Sequence, residues 1–334
     1  MNATSGWRKW TGSGVEWDKM LVGFPDSNIY QSWGWGQHRA EFGWNVLPLA
    51  FISDGSVTAL AMTLVKTSLR SVTVSWVPGG PVGDLSTSSA TLVDAIKELT
   101  SSRAIYVHIN CMAPYSDKAS DILQVAGWTR PSRQLNTGKT LVYSSFNDGS
   151  DRRDLLSKNW KRNLTRGEQR NLTVTEWCDA SGREIAEITN EMRDYKKLPD
   201  LAGPSETADS LLRLFANQIL MTRCSDANGN TLAIRGVIKL GHKAFDMFAA
   251  STPAGRREYA SNLCLWKIIE LCARDGVTYY DLSGADPNNN QGVYNFKKGI
   301  GALDFEYQGE WVISRPRILS VFISRMIARR LRSE

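Results

Sequence analysis

The feature that most constrains the fold is one order of strands and turns that occurs twice along the chain. Residues 45–66, NVLPLAFISDGSVTALAMTLVK, place an Asp-Gly turn between two apolar runs, which predicts a β-hairpin. Residues 221–250, MTRCSDANGNTLAIRGVIKLGHKAFDMFAA, join three such runs by an Asp-Ala-Asn-Gly turn and a Gly-His-Lys turn. The repetition indicates two similar sheets that are mainly antiparallel.

Each set of strands is followed by a helical pattern and another strand. In the first half a strand at 72–82 precedes a helix-like run at 89–102 and a strand at 104–111. In the second half a helix-like run at 261–276 precedes a strand at 277–284. The sequence therefore predicts an α+β fold of two tandem domains, with mixed, mainly antiparallel sheets and flanking helices. The alternative is the loose similarity that two halves of any α+β protein can have.

A polar, turn-rich cluster marks the predicted domain boundary. The cluster is FNDGSD, at residues 146–151. It separates an N-terminal domain at 1–147 from a C-terminal domain at 148–314. A chain of 334 residues is long enough for two domains of ordinary size.

A basic segment follows this boundary at residues 152–174, RRDLLSKNWKRNLTRGEQRNLTV. Its apolar residues recur at helical spacing, which predicts a helix with one buried stripe and one cationic face. Such a helix can be a solvated surface element or a surface that contacts a phosphate backbone. Its basic residues are Arg152, Arg153, Lys158, Lys161, Arg162, Arg166 and Arg170.

The C-terminal tail also has the pattern of a helix with one apolar face and one cationic face. Residues 315–334, RPRILSVFISRMIARRLRSE, place apolar side chains on one predicted helix face and arginines on the other. This helix can dock on the fold and close it, or lie on an anionic membrane or on tRNA. The sequence does not separate these alternatives.

Composition and missing motifs limit the chemistry. The net charge of +6 permits a polyanionic partner but does not require one. The five scattered cysteines include no Cys-x-x-Cys pair, which disfavours a metal site or a disulfide framework. The chain has no nucleophile elbow, no His-Glu-x-x-His and no nucleotide-phosphate loop. We therefore expect a reaction that starts from an activated donor and needs positioning and charge stabilisation, such as acyl transfer to an amine.

Four segments carry a resemblance to a known family. The segments are YQSWGWGQHRAEFGW (30–44), WVPGGPVGD (76–84), SKNWKRNLTRGEQRNLTV (157–174), and YYDLSG followed by GVYNFKKGIGALDFEYQGEW (279–311). In this order they resemble the Fem family of peptidoglycan-bridge aminoacyltransferases. The resemblance spans nearly the whole chain.

The resemblance implies two tandem domains of the N-acetyltransferase (GNAT) type, with the tail at 315–334 packed on the first domain. It implies an aminoacyl-tRNA donor and an amine acceptor on a cell-wall precursor or a peptide natural product. Because the tRNA ester is already activated, no cofactor and no metal are expected. The expected location is the cytoplasm, with contact to the inner face of the membrane possible through the basic tail.

The resemblance also assigns roles to individual residues. Lys297 would stabilise the oxyanion and contact the tRNA end beside Phe296, unless it is a solvated turn lysine. Arg39 falls where the family has a lysine that binds the acceptor diphosphate, and its alternative is a surface helix residue. Trp35 and Phe248 would line the acceptor pocket or belong to the core. The residues implied to contact tRNA are Lys158, Lys161, Arg162, Arg166 and Lys298.

Two departures from the family pattern concern the acceptor. Asn110 stands where some members carry a carboxylate; it can orient a substrate but cannot take a proton at neutral pH. The acceptor-binding arginine expected after the basic helix is absent from its place, where Lys196 and Lys197 are the nearest substitutes.

Two other functions stay open from the sequence. One is an acyl-CoA-dependent N-acyltransferase that acts on an amino sugar or a polysaccharide precursor. Its nearest pyrophosphate-loop candidate, PAGRREYASN at 253–262, lacks the second glycine spacing. The other is a non-catalytic module that binds tRNA or a membrane.

Overall fold

The computed structural model describes residues 5–68, 71–146, 152–196, 205–317 and 319. The chain divides into two compact units. Unit 1 comprises Met1–Gly138 and Glu306–Glu334, and unit 2 comprises Lys139–Phe305. The boundary at 147/148 inferred from the turn-rich cluster stays a prediction.

The strands are short to medium in length and are numbered in chain order. They are β1 (Gly6–Lys9), β2 (Asn45–Ser53), β3 (Ser56–Thr67), β4 (Val72–Val77), β5 (Val82–Gly83), β6 (Ala104–Pro114), β7 (Lys139–Tyr143), β8 (Thr173–Glu176), β9 (Ile219–Ser225), β10 (Thr231–Leu240), β11 (Lys243–Ser251), β12 (Tyr279–Asp281) and β13 (Leu303–Arg315).

The helices are numbered in the same way. They are α1 (Gly14–Val22), α2 (Trp33–Glu41), α3 (Leu85–Ser88), α4 (Leu92–Leu99), α5 (Asp117–Val125), α6 (Lys158–Glu168), α7 (Gly182–Lys196), α8 (Ser205–Leu214), α9 (Pro253–Arg257), α10 (Ala260–Arg274) and α11 (Gln291–Lys298). Short 3₁₀ turns lie at Ile29–Gln31 and Arg152–Leu155.

The sheet of unit 1 has the strand order β1-β2-β3-β4-β6-β13, with β5 paired to β3. All neighbouring pairs on this path are antiparallel except β4 and β6, which are parallel. The parallel pair follows from the connection between the two strands, which contains α4 and returns the chain to the same end of the sheet. The hairpin predicted at 45–66 is β2 and β3, joined by Asp54 and Gly55 in left-handed conformations.

The sheet of unit 2 repeats this plan with the order β8-β9-β10-β11-β12-β7. Here β11 and β12 are the parallel pair, and α10 lies in the connection between them. The other pairs are antiparallel. The duplication predicted from the sequence is thus confirmed, as is the α+β class. In each sheet the last strand comes from the other half of the sequence: β13 ends the sheet of unit 1, and β7 ends that of unit 2.

Unit 2 has a core on each side of its sheet. One core contains Trp160 and Leu164 of α6 together with Ile268 of α10. The other contains Ile185 and Ile188 of α7. Burial of each such side chain stabilises the fold by roughly 2 kcal/mol.

The structure confirms one prediction about helices and corrects another. The basic segment forms α6, with Trp160, Leu164 and Gly167 buried and the basic side chains exposed. The Asn/Gly-rich composition before Lys297 is typical of a loop, but Gln291–Lys298 is a helix. The local composition misleads because Asn and Gly favour turns, whereas tertiary packing of this segment on unit 2 favours the helix.

Most of the C-terminal tail lies outside the described residues. Leu319 packs beside Tyr106 and Val312 of unit 1. The arginine-rich face predicted for residues 325–332 and the predicted substitute Lys197 are not among the described positions.

Candidate functional site

The candidate site of unit 2 begins where the parallel pair of strands ends. Strands β11 and β12 pair only from Lys243↔Tyr279 to Phe245↔Asp281. Beyond Phe245, β11 continues beside β10, while its ladder pairing with β12 ends at Asp281. The carbonyl groups that follow β12 are therefore free to accept hydrogen bonds from a side chain.

Lys297 supplies that side chain. It lies in the last turn of α11, and its Nζ donates hydrogen bonds to the carbonyl oxygens of Ser283 (2.5 Å) and Gly284 (2.9 Å). The residue is only 9% exposed, so it is not a solvated turn lysine. An ammonium group has three hydrogens, and two are used here. The third can be donated to a bound substrate.

A buried ion pair lies beside this lysine. Arg235 of β10 donates to both carboxylate oxygens of Asp246 of β11, at 3.0 and 2.6 Å. The Tyr280 hydroxyl donates to Asp246 Oδ1 at 2.8 Å. The side chains of Arg235 and Asp246 are 6% and 7% exposed, so each charge is stabilised by the other in a region with little water.

The electrostatics of the cluster follow from burial and from these charges. Burial lowers the pKa of Lys297, while Asp246 and Asp281 oppose that shift and Arg235 adds to it. Burial raises the pKa of Asp246, and Arg235 opposes this shift. The pKa of Lys297 is therefore set by a balance between desolvation and specific neighbours. Clusters with this property are frequent in active sites.

The basic helix α6 is fixed to the helix that carries Lys297. Trp160 Nε1 donates to the carbonyl oxygen of Phe296 at 3.0 Å, and the two rings are 5.9 Å apart. Ser157 N donates to the Gly299 carbonyl oxygen at 2.8 Å. The other side of Phe296 faces Arg235, whose guanidinium carbon is 5.9 Å from the ring centroid. Folding thus brings Phe296 and Lys297 next to a helix more than a hundred residues earlier in the sequence.

The predicted tRNA-contacting side chains are exposed on or near α6. Lys158 is exposed, and Lys161 forms a long ion pair with Asp154 at 3.4 Å. Arg162 donates to Asn159 Oδ1 at 2.6 Å. The remaining two also have partners: Arg166 donates to the Tyr259 hydroxyl at 3.2 Å, and Lys298 pairs with Asp304. These surface contacts are weak enough to be exchanged for a phosphate.

In unit 1 a buried glutamine holds the glycine-rich loop of the Fem-like motifs. Gln31 Nε2 donates to the Pro78 carbonyl oxygen at 2.6 Å, and Gln31 Oε1 accepts from Met62 N at 2.7 Å. A Cβ atom at Gly80 would lie within 2.5 Å of the Gln31 side chain, so this loop needs glycine there. The glutamine and the loop therefore form one rigid piece.

Arg39 and Trp35 lie on α2, which follows this glutamine. Arg39 is half-buried over the Trp76 ring at 5.8 Å, its Nε has no hydrogen-bond partner among the described residues, and burial lowers its pKa. Trp35 is buried with its ring 4.8 Å from that of Tyr30. Burial also lowers the pKa of the adjacent His38 to about 4, so His38 is neutral near pH 7. A half-buried guanidinium is suited to an anionic ligand.

The two remaining predicted residues lie on strands β6 and β11. Asn110 is in β6 and is paired in register with Glu310 of β13 in unit 1. Phe248 of unit 2 is half-buried beside Gly236 and packs against the core formed by α7. The part of the chain that the structure describes thus gathers Phe296, Lys297 and Lys298 with α6 in unit 2, while Arg39, Trp35 and Asn110 belong to unit 1.

Sequence reasoning missed the residues that surround Lys297. Arg235 and Asp246 each lie between apolar residues inside a strand, in TLAIRGVIKL and KAFDMFAAS. A charge inside a buried strand requires a partner, and this is the signal that could have identified the pair.

Comparisons with known proteins agree with this architecture. The family described as Acetyltransferase (GNAT) domain matches residues 150–298. No curated protein matches the chain in sequence. Among solved structures, FemX superposes with a TM-score of 0.78 at 15% identity, covering 91% of this chain and 96% of that one.

Two further structures share the architecture at lower similarity. A tandem GNAT protein from the clavulanic acid biosynthesis pathway has a TM-score of 0.55 at 12% identity, with 93% of this chain and 98% of that chain covered. L-PGS from Bacillus licheniformis has a TM-score of 0.54 at 12% identity, with coverages of 94% and 97%.

The matched domain and the fold define the class: the chain carries a GNAT-type domain and has an acyltransferase fold. More particularly, its fold is that of FemX, so the resemblance to the Fem family is confirmed at the level of the fold. Among the described residues, no helix has the length and apolar character needed to cross a membrane.

Proposed function

We propose that this protein is an aminoacyltransferase that moves an amino acid from aminoacyl-tRNA to an amine of a peptide acceptor. The observation that carries the proposal is the buried Lys297 ammonium, held at the opening between β11 and β12 and joined through Phe296 to the basic helix α6. A cation in that position supports acyl transfer, and a basic helix beside it supports a polyanionic donor.

The reaction needs one bond to form and one to break. The acceptor amine attacks the ester carbonyl carbon of the aminoacyl-tRNA, and a tetrahedral oxyanion forms. Lys297 Nζ donates a hydrogen bond to this oxyanion through its third hydrogen. The C–O bond to the ribose then breaks, and the departing hydroxyl takes the proton that the amine loses. The new C–N bond is a peptide bond.

The proposed acceptor is a cell-wall precursor or a peptide natural product. Arg39, a half-buried guanidinium, is suited to an anionic group of the acceptor, and Trp35, Asn110 and Phe248 are proposed to contribute to acceptor binding. The similarity in fold to FemX supports the aminoacyl donor that the Fem resemblance implies, and the similarity to a protein of the clavulanic acid biosynthesis pathway supports a role in secondary metabolism. We place the reaction in the cytoplasm, with membrane contact through residues 315–334 as a further proposal.

A second candidate is transfer from acyl-CoA to an amino sugar. The acetyltransferase description of the matched family favours it. The segment Pro253–Arg257 counts against it, because it forms the short helix α9, in which Gly255 packs directly on the backbone of β10: a Cβ there would lie 2.1 Å from the Leu232 carbonyl oxygen. This glycine is therefore explained by packing, without a pyrophosphate ligand.

A transfer assay separates these functions. Purified protein is incubated with tRNA charged with radiolabelled amino acids or with labelled acetyl-CoA, and with muropeptide precursors, short peptides or amino sugars as acceptors. RNase-sensitive transfer to an amine supports the proposal. Transfer from acetyl-CoA alone means that the donor is acyl-CoA and not aminoacyl-tRNA. Binding of tRNA or of vesicles without any transfer indicates a non-catalytic module.

A further inference from the structure

Ser283 forms three hydrogen bonds in the neighbourhood of Lys297, through its backbone N–H, its hydroxyl and its carbonyl oxygen. Ser283 N donates to Asp281 Oδ1 at 2.8 Å, and Ser283 Oγ donates to the Asp246 carbonyl oxygen at 2.8 Å. The Ser283 carbonyl oxygen accepts from Lys297 Nζ at 2.5 Å. Ser283 is therefore tied to β12, to β11 and to Lys297 at once.

The backbone of Ser283 adopts a conformation that serine rarely takes. Its φ is +57°, in the left-handed region that favours glycine. A residue held in such a conformation needs surrounding contacts that fix it, and these conformations are frequent at functional sites. Here the contacts are the two hydrogen bonds that Ser283 donates.

We propose that Ser283 is a positioning residue for Lys297, because its hydroxyl bridges the two diverging strands and so fixes the carbonyl groups that hold the ammonium. This inference rests on the proposed function for its catalytic meaning, but its structural part stands alone. Where β11 and β12 separate, the Ser283 hydroxyl replaces the backbone pairing that has ended. Without it, residues 283 and 284 lose their tie to β11, and Lys297 Nζ is no longer directed to one place.

The first test measures how accessible the Lys297 amine is. The whole chain, as wild type, Ser283→Ala and Ser283→Gly, is treated briefly with sulfosuccinimidyl acetate, and acetylation of Lys297 is quantified by peptide mass spectrometry. Loss of one buried hydrogen bond predicts labelling that is faster by roughly five- to tenfold in both variants. Ser283→Gly also removes the strain of the left-handed backbone. Labelling that rises in Ser283→Ala but not in Ser283→Gly would therefore assign the effect to strain and overturn the inference.

Ser101 provides the matched control. It also has a left-handed φ of +51°, but it is exposed and lies in unit 1. Ser101→Ala and Ser101→Gly should leave Lys297 labelling unchanged. Thermal unfolding of every variant shows whether it is folded.

The second test uses the transfer reaction. In Ser283→Ala we expect kcat to fall by roughly tenfold with little change in KM, because the acceptor and tRNA contacts remain. Unchanged labelling of Lys297 in folded Ser283→Ala and Ser283→Gly overturns the inference. If the wild type transfers nothing from aminoacyl-tRNA, the proposed function fails, whereas the labelling result still decides the role of Ser283.

Discussion

At the scale of single residues, Lys297 is notable because a lysine is seldom buried. Removing an ammonium from water is costly, and the two carbonyl acceptors and the carboxylates of Asp246 and Asp281 offset part of that cost. A lysine with a purely structural role could be replaced by an apolar side chain of similar volume at little cost. An apolar variant of Lys297 should therefore keep its stability, and a loss of its activity would report the role of the ammonium in the reaction.

Lys297→Met should separate these two effects. We expect kcat to fall by roughly 10²- to 10³-fold, as for the loss of one oxyanion donor, while acceptor affinity changes little. Steady-state transfer assays and acceptor titrations measure this split. Lys298→Met is the neighbouring control: because Lys298 is 41% exposed and pairs with Asp304, we expect it to weaken tRNA binding without the loss in kcat. Equal losses in kcat and in acceptor affinity for Lys297→Met would count against a transition-state role.

The pH dependence of kcat should report the ionisation of Lys297. The pKa of Lys297 is lowered from 10.5, so the ammonium and the activity are lost as pH rises through that lowered pKa. Asp246→Asn removes a negative charge that favours the ammonium, so the alkaline limb should move to lower pH. Arg235 and Asp281, the other charged neighbours, remain in place.

Asp304→Asn is the control for this pH profile, because Asp304 pairs with Lys298 on the surface. We expect its alkaline limb to coincide with that of the wild type. Circular dichroism across the pH range checks that Asp246→Asn stays folded with Arg235 unpaired. A limb that moves to higher pH in Asp246→Asn is inconsistent with a catalytic ammonium at Lys297.

At the scale of elements, α6 has two faces with different tasks. Its buried face places Trp160 against α11, and its exposed face carries the cations. Surface cations add little to stability, so their density on this face is better explained by a partner than by folding.

Neutralising this face should change the salt dependence of tRNA binding. In a variant with Lys158, Lys161, Arg162 and Arg166 all replaced by Gln, each lost phosphate contact should reduce the slope of log K against log salt by about 0.7 to 0.9. Filter binding or fluorescence anisotropy at several salt concentrations measures the slope. Arg183→Gln on α7, an exposed arginine paired with Glu187, should leave it unchanged. An unaltered slope in the fourfold variant means that tRNA docks elsewhere.

At the scale of the whole molecule, each sheet is completed by a strand from the other half of the sequence. The last strand of unit 1, β13, pairs with β6 from Tyr307↔Pro114 to Arg315↔Ile105. Its Trp311 and Ile313 belong to the core of unit 1. A fragment that ends before this strand therefore lacks part of its own core.

Fragments of the chain should show this dependence. Residues 1–138 alone should aggregate or unfold without cooperativity, because losing Trp311 and Ile313 removes at least about 5 kcal/mol of packing. A fusion of residues 1–138 to 306–317 through a short Gly-Ser linker should unfold cooperatively. The linker can be short because Tyr307 N donates to the Gly138 carbonyl oxygen at 2.8 Å. Chemical denaturation compares the two, and equal stability would contradict the prediction.

The sequence by itself determined the local elements and their repetition. The hairpin of β2 and β3, the three strands β9 to β11, and the helices α6 and α10 were all predictable, because turn residues and apolar periodicity act over a few neighbouring positions. The four motifs, in their order along the chain, also gave the resemblance to the Fem family, and the fold is similar to that of FemX.

Tertiary structure alone decided what surrounds the candidate site. The burial of Lys297 and the helix at Gln291–Lys298 depend on contacts with residues far away in the sequence, such as Trp160. The exchange of β7 and β13 is equally nonlocal, because strand neighbours are chosen by the packing of the whole sheet. Local patterns can show that a buried charge needs a partner, but they do not give the neighbours of a strand, since the energy that selects these neighbours exists only once the strands have come together.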